Sequence, residues 1–157
     1  MANQAPDDKV TVPGTDAAAA PIVERDLACW KEYLREQERL CHAHHFVAAL
    51  VTVGVDAASQ LDPSIEILVP MLRSTDRMGV LCPTELSVLL MPLESIHHAQ
   101  RLVHVLDGAL RTAGLPAHLG WAMRQEGHGL FHAAARADAA MLTAKGHGKV
   151  SVDLSDR

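Results

Sequence analysis

A chain of 157 residues, 48% of them hydrophobic, has room for one domain around one core. Its formal charge is −5, and 14 Lys and Arg lie scattered among 19 Asp and Glu, which argues against a nucleic-acid backbone or an anionic membrane surface as main partner. No apolar run approaches the roughly 20 residues of a membrane-spanning helix, the first residues lack the basic start and apolar stretch of a secretory signal, and Cys29, Cys41 and Cys82 do not form a disulfide framework by spacing, so a cytoplasmic protein is expected.

Residues 1–21 combine Pro, Gly and Asp with a run of alanines and have no periodicity, so a flexible tail is expected there, ahead of a single domain over 22–157. Val23, Leu27, Trp30, Leu34 and Cys41 then fall on one helical stripe with charged residues between them, which predicts an amphipathic leading helix. Its stripe suits either a dimer contact or the domain's own sheet. Residues 46–55 form a nearly unbroken, valine-rich apolar run, the pattern of a central strand. Asp62 followed by Pro63 predicts a helix start, with Ile65, Leu68, Val69 and Leu72 at helical spacing behind it. Residues 79–91 read as two short strands joined by a tight turn around Cys82, Pro83, Thr84 and Glu85. A helix over about 95–113 presents Ala99, Leu102, Val103, Leu106 and Leu110 and stops at Gly114. Residues 117–123 read as a strand, 130–145 as a helix closed by Gly146, and 149–153 as a last half-buried strand.

This order predicts an α+β fold: a mixed, mainly antiparallel five-stranded sheet flanked by helices, around a ferredoxin-like βαββαβ core. Several segments add a resemblance. Ala137-Asp138-Ala139-Ala140-Met141-Leu142-Thr143-Ala144-Lys145, followed by Gly148-Lys149, resembles the ADxAMYxAKxxGRN signature of GGDEF (diguanylate cyclase) domains, with Leu142 where tyrosine is usual. Gly120-Trp121-Ala122 resembles that family's GxA, Val53-Gly54-Val55-Asp56 sits where its first strand ends in DxD, and Cys82-Pro83-Thr84-Glu85-Leu86 occupies the turn that names it. Asp26-Leu27-Ala28-Cys29-Trp30 resembles a worn opening DxLTGL. The resemblance spans about 24–153 and implies a GGDEF, nucleotidyl-cyclase-like fold.

Set against the family's catalytic pattern, the chain is altered. The resemblance implies metal-binding carboxylates from the first strand and the hairpin, but the first-strand position is Gly54 and the turn keeps Glu85 alone, a poor magnesium site. Cys82 and Pro83 replace glycines whose backbone approaches phosphate. The connection after Val55 is too short for the segment that recognises guanine. Lys145 matches the family's triphosphate-contacting lysine, though Lys145 and Asp138 also suit a solvated helix face. The chain is therefore expected not to be an enzyme and to need no catalytic magnesium.

A second family feature is matched. Many diguanylate cyclases carry an inhibitory site for their product, marked by RxxD five residues before the turn; Arg73-Ser74-Thr75-Asp76 precedes Cys82 at that spacing. Arginine offers a planar fork for guanine O6 and N7 or for phosphate, and aspartate accepts from guanine's Watson–Crick edge. A further arginine is expected from the helix after the hairpin, where Arg101 is the candidate and His104 the alternative. The resemblance thus implies a cyclic di-GMP effector contacting ligand through Arg73, Asp76 and Arg101, with a protein partner or a homodimer downstream. The alternative is an interaction module without nucleotide, in which Arg73 and Asp76 form only a surface ion pair. Cys41-His42-Ala43-His44-His45 looks like a metal cluster, but adjacent ligands do not readily close a tetrahedral site and no CxxC supports it.

Overall fold

The computed structural model describes residues 22–147 and 151–152. The elements run β1 (Val23–Glu24), α1 (Leu27–His44), β2 (Val47–Val55), a 3-10 turn (Ala58–Gln60), α2 (Leu61–Leu68), a second 3-10 turn (Val69–Met71), β3 (Arg77–Cys82), β4 (Glu85–Leu93), α3 (Ile96–Thr112), β5 (Ala117–Met123), α4 (Gly129–His147) and β6 (Ser151–Val152). They form one sheet in the order β1-β3-β4-β2-β5-β6. The pairs β2–β4, β2–β5 and β3–β4 are antiparallel, and the two outer pairs, β1–β3 and β5–β6, are parallel. The α+β architecture is therefore the expected one. The sheet gains one strand, because Val23 pairs with Met78 instead of opening the leading helix. The tail expected over 1–21 lies outside the described residues, as do 149, 150 and 153 of the expected last strand.

Strand β2 is central because it can be buried on both faces: Ala48 through Val55 are all buried. Alternation divides them between two cores. Ala49, Val51, Val53 and Val55 join α2 and α3 through Leu61, Ile65, Leu68, Val103, Leu106 and Leu110. On the other face, Ala48 and Leu50 join α1 and α4 through Trp30, Leu34, Cys41, Leu130, Ala133 and Ala137.

Helix α1 is capped by Asp26, whose side chain accepts from Cys29 N at 3.1 Å. Its apolar stripe belongs to the domain's own sheet: Trp30 and Leu34 are buried, and Trp30 lies so close to β3 that a Cβ on Gly79 would sit 2.2 Å from its ring. The helix ends at His45 in the left-handed region, φ 57°, with its N–H bonded to Cys41 O. The start expected at Asp62 is displaced. Gln60 Oε1 accepts from Asp56 N and Ala57 N, which starts α2 two residues early and puts Asp62 in its first turn.

An ion pair fastens the α1–α4 side. Arg124 donates to both Glu38 oxygens (2.9 and 2.7 Å), and Glu38 also accepts from Leu130 N at the start of α4 (2.9 Å). The Arg124 hydrogen bonds hold the Glu38 carboxyl below its ordinary value of 4.5, against the opposing effect of burial, while Arg124 itself is raised. A carboxyl depressed in the folded state adds stability that is present above the unfolded value and lost as pH falls through the folded one. Thermal melts should therefore show stability falling below about pH 4.5, and Glu38→Gln should flatten that slope. The same variant should lower the melting temperature at pH 7 by about 4–8 °C. An unchanged acid slope in Glu38→Gln would assign the acid sensitivity to other carboxyls.

Candidate functional site

The RxxD segment forms the turn between the second 3-10 element and β3. Asp76 N donates to Arg73 O at 3.0 Å, closing the turn. The Asp76 side chain folds back over it and is 1% exposed, whereas that of Arg73 is 30% exposed. Asp76 accepts four hydrogen bonds: from Arg73 N (2.8 Å), Arg73 Nε (3.0 Å), Arg73 Nη2 (2.8 Å) and, across the sheet, Met91 N (3.3 Å). Arg73 Nη1 donates to Pro92 O at 3.0 Å, beyond the cis Met91–Pro92 peptide. Arg77 holds the turn from below, its Nη1 donating to Ser74 O and Asp76 O at 2.6 and 2.7 Å. Burial raises the phenol of Tyr33 on α1 above its ordinary value, with Arg77 acting the opposite way.

The result is a guanidinium clamped along one edge. Three of its five N–H donors are engaged, by Nε and Nη2 on Asp76 and by Nη1 on Pro92 O, which leaves one donor on each Nη. Such an arginine is fixed in direction before any acceptor arrives. The structure brings Arg73 and Asp76 together as a pair. The sequence does not reveal the contributions of Pro92 and Met91, which are backbone groups 15 or more residues away, and no side-chain pattern marks them.

Arg101 and His104 are both exposed on α3. No hydrogen bond or ion pair among the described residues joins either of them to Arg73 or Asp76. Helices α2 and α3 flank an apolar groove of about 530 Å³, with Met71 on one wall and Val105 on the other.

At the opposite end of the hairpin, Glu85 begins β4 directly beside Gly54 of β2, and His118 of β5 lies on the other side of Gly54. Gly54 has a packing reason: a Cβ there would stand 2.8 Å from Met141 Sδ on α4. Asp56, two residues on and on the same face, approaches His118 Nε2 at 3.3 Å. The strand ends therefore present two carboxylates, Glu85 and Asp56, where the sequence reading counted one. Asp138 is turned into the sheet, its Oδ1 accepting from Thr52 at 2.7 Å. Among the described residues no group of three or more His, Cys, Asp or Glu side chains gathers to hold a metal. The Cys41–His45 run is dispersed by the helix. Cys41 points into the core, its thiol pushed up to about 11 by burial, and His42, His44 and His45 face outward.

No family model matches the sequence, and no curated protein matches it. Solved structures share its fold. The GGDEF domain of YfiN (TpbB) from Pseudomonas aeruginosa is 21% identical with a TM-score of 0.72, over 85% of this chain and 92% of that one. The active GGEEF domain of a diguanylate cyclase from Vibrio cholerae is 13% identical with a TM-score of 0.68, over 84% and 97%. The GGDEF domain of DgcB from Caulobacter crescentus, solved in complex with c-di-GMP, is 11% identical with a TM-score of 0.68, over 80% and 89%. The expectation that this chain is not an enzyme is withdrawn on this finding. The structures that share its fold include diguanylate cyclase domains, which are enzymes, and Glu85 and Asp56 both stand at the strand ends beside Gly54. No helix of the described residues is long and apolar enough to cross a membrane.

Proposed function

We propose that the chain is a cyclic di-GMP-binding signalling module of the GGDEF fold, with Arg73 as its principal contact to the nucleotide. The observation that carries this reading is the clamped guanidinium, which is 30% exposed and keeps one unengaged N–H on each of Nη1 and Nη2. Those donors suit the paired acceptors O6 and N7 of guanine, or a phosphate, in a planar fork. Asp76 enters as the residue that fixes Arg73, and it reaches ligand donors only by releasing bonds it already makes. Arg101 of α3, with His104 as the alternative, supplies the second contact, from the same chain or from a second subunit bridged by the ligand. Binding then shifts an equilibrium in oligomeric state or exposes a surface to a protein partner.

The saturated carboxylate of Asp76 favours a second reading. An aspartate that is 1% exposed and accepts four internal hydrogen bonds is a structural staple, and a domain that keeps it for that reason alone is an interaction module without nucleotide.

Calorimetric titration of the purified chain with cyclic di-GMP separates the two. On the first reading binding is saturable, and Arg73→Lys, which keeps the charge and removes the fork, weakens it about 30-fold or more. Arg101→Ala weakens it less, and circular dichroism confirms the fold of each variant. No binding at tens of micromolar selects the second reading. GTP with magnesium, added to the same preparation and followed for product, measures cyclase activity independently of either.

A further inference from the structure

We propose that the outward face of α4 is a homodimer surface on which two copies of this chain meet with their α4 helices antiparallel. Helix α4 buries Leu130, Ala133, Ala137, Ala140, Met141 and Ala144 toward the sheet. Its opposite side carries Phe131, Ala135, Ala139 and Leu142, all exposed; Phe131 is 42% and Leu142 60% exposed. The other long helices differ. The exposed positions of α1 include Lys31, Glu32, Arg35, Glu36 and Arg39, and those of α3 include Arg101, His104 and Arg111, the usual solvated pattern. The exposed positions of α4 also include Thr143 and Lys145, but Phe131, Ala135, Ala139 and Leu142 form an apolar stripe that the sheet does not cover.

The order of side chains along the stripe identifies the occupant. It reads large, small, small, large: Phe131, Ala135, Ala139, Leu142. A two-fold axis between Ala135 and Ala139 sets each Phe131 against the partner's Leu142 and each Ala135 against the partner's Ala139, so one patch is complementary to itself. Alanines at the centre allow the backbones to approach, and the two larger pairs close the ends. Charge selects the antiparallel direction. Arg35 sits over the Phe131 ring at 5.8 Å, and a parallel arrangement would bring both Arg35 guanidinium groups and both helix N-termini to one end. The antiparallel one separates them. Phe131 to Leu142 spans about 16 Å of helix. A patch of that length falls short of the roughly 800 Å² per partner of a permanent dimer, so the association is reversible and seen at high micromolar concentration.

Sedimentation of the full chain across a concentration series tests this. The expected result is a mass rising from that of the monomer toward twice that value as concentration increases. Leu142→Asp and Phe131→Ser, both at exposed positions, should each weaken association about 10-fold or more with melting temperature unchanged. Ala135→Glu and Ala139→Lys should each weaken it, and the double variant should recover it, because the antiparallel register pairs the new charges between copies. A monomer at every concentration overturns the proposal, as does a dimer indifferent to Leu142→Asp. A double variant no better than the singles overturns the antiparallel register.

Discussion

Replacing Gly120 by alanine should destabilise the fold by at least about 3 kcal/mol, a large share of the roughly 5–15 kcal/mol that holds a domain together. A Cβ there would stand 2.0 Å from Met141 N, 2.5 Å from Ala137 O and 2.5 Å from Ala140 C. All three are backbone atoms of α4, so no rotamer change relieves the clash. The helix would have to lift from β5 and give up its contacts with the core beneath it. Gly54 provides the contrast, since its Cβ would meet only the flexible end of the Met141 side chain. Urea denaturation measures the difference directly. A loss below about 1 kcal/mol would mean that α4 does not rest on β5 at this point.

The second large effect is expected at Asp76. Asp76→Ala removes a carboxylate that is 1% exposed and leaves the partly exposed Arg73 guanidinium and the N–H groups of Arg73 and Met91 without their acceptor. Removing the shared acceptor of a partly exposed guanidinium and two backbone N–H groups costs about 3 kcal/mol. Because Met91 N belongs to β4, the loss should loosen the register between the turn and the hairpin as well. Equilibrium unfolding, with hydrogen exchange at Met91, reports both. If Asp76→Ala were as stable as the parent and failed only to bind cyclic di-GMP, the carboxylate would belong to the ligand contact and not to the support of Arg73.

Much of the fold is readable in the sequence because its strongest patterns are local. The valine-rich run of β2 implies burial on two faces whatever surrounds it, and the alternation of small and large residues in 130–144 gives a helix with an inner face. Legibility ends where a partner far along the chain decides. Strand β1 has two residues and no pattern of its own; only Met78 and Gly79 make it a strand. The early start of α2 depends on the Gln60 side chain reaching back to Asp56 and Ala57, a capping role that the Asp62-Pro63 pair masks. Glu38 and Arg124 lie 86 residues apart, and neither stands out from the other charges on its element. At the RxxD turn the spacing gives the pair, and its geometry depends on Met91 and Pro92 from another strand.

Strand β1 also bears on the colloidal behaviour of the protein. Without it β3 would be the outermost strand, and an open strand edge invites the addition of a strand from a neighbouring molecule. Val23 and Glu24 occupy the first half of that edge, opposite Met78 and Gly79. The chain on either side is held as well, by Ile22 O accepting from Met78 N at 2.7 Å and by Arg25 paired with Asp62 at 3.0 Å. What remains of the edge, Val80 to Cys82, is about as short as a strand can be. Resistance to polymerising through this edge therefore rests on a strand of two residues.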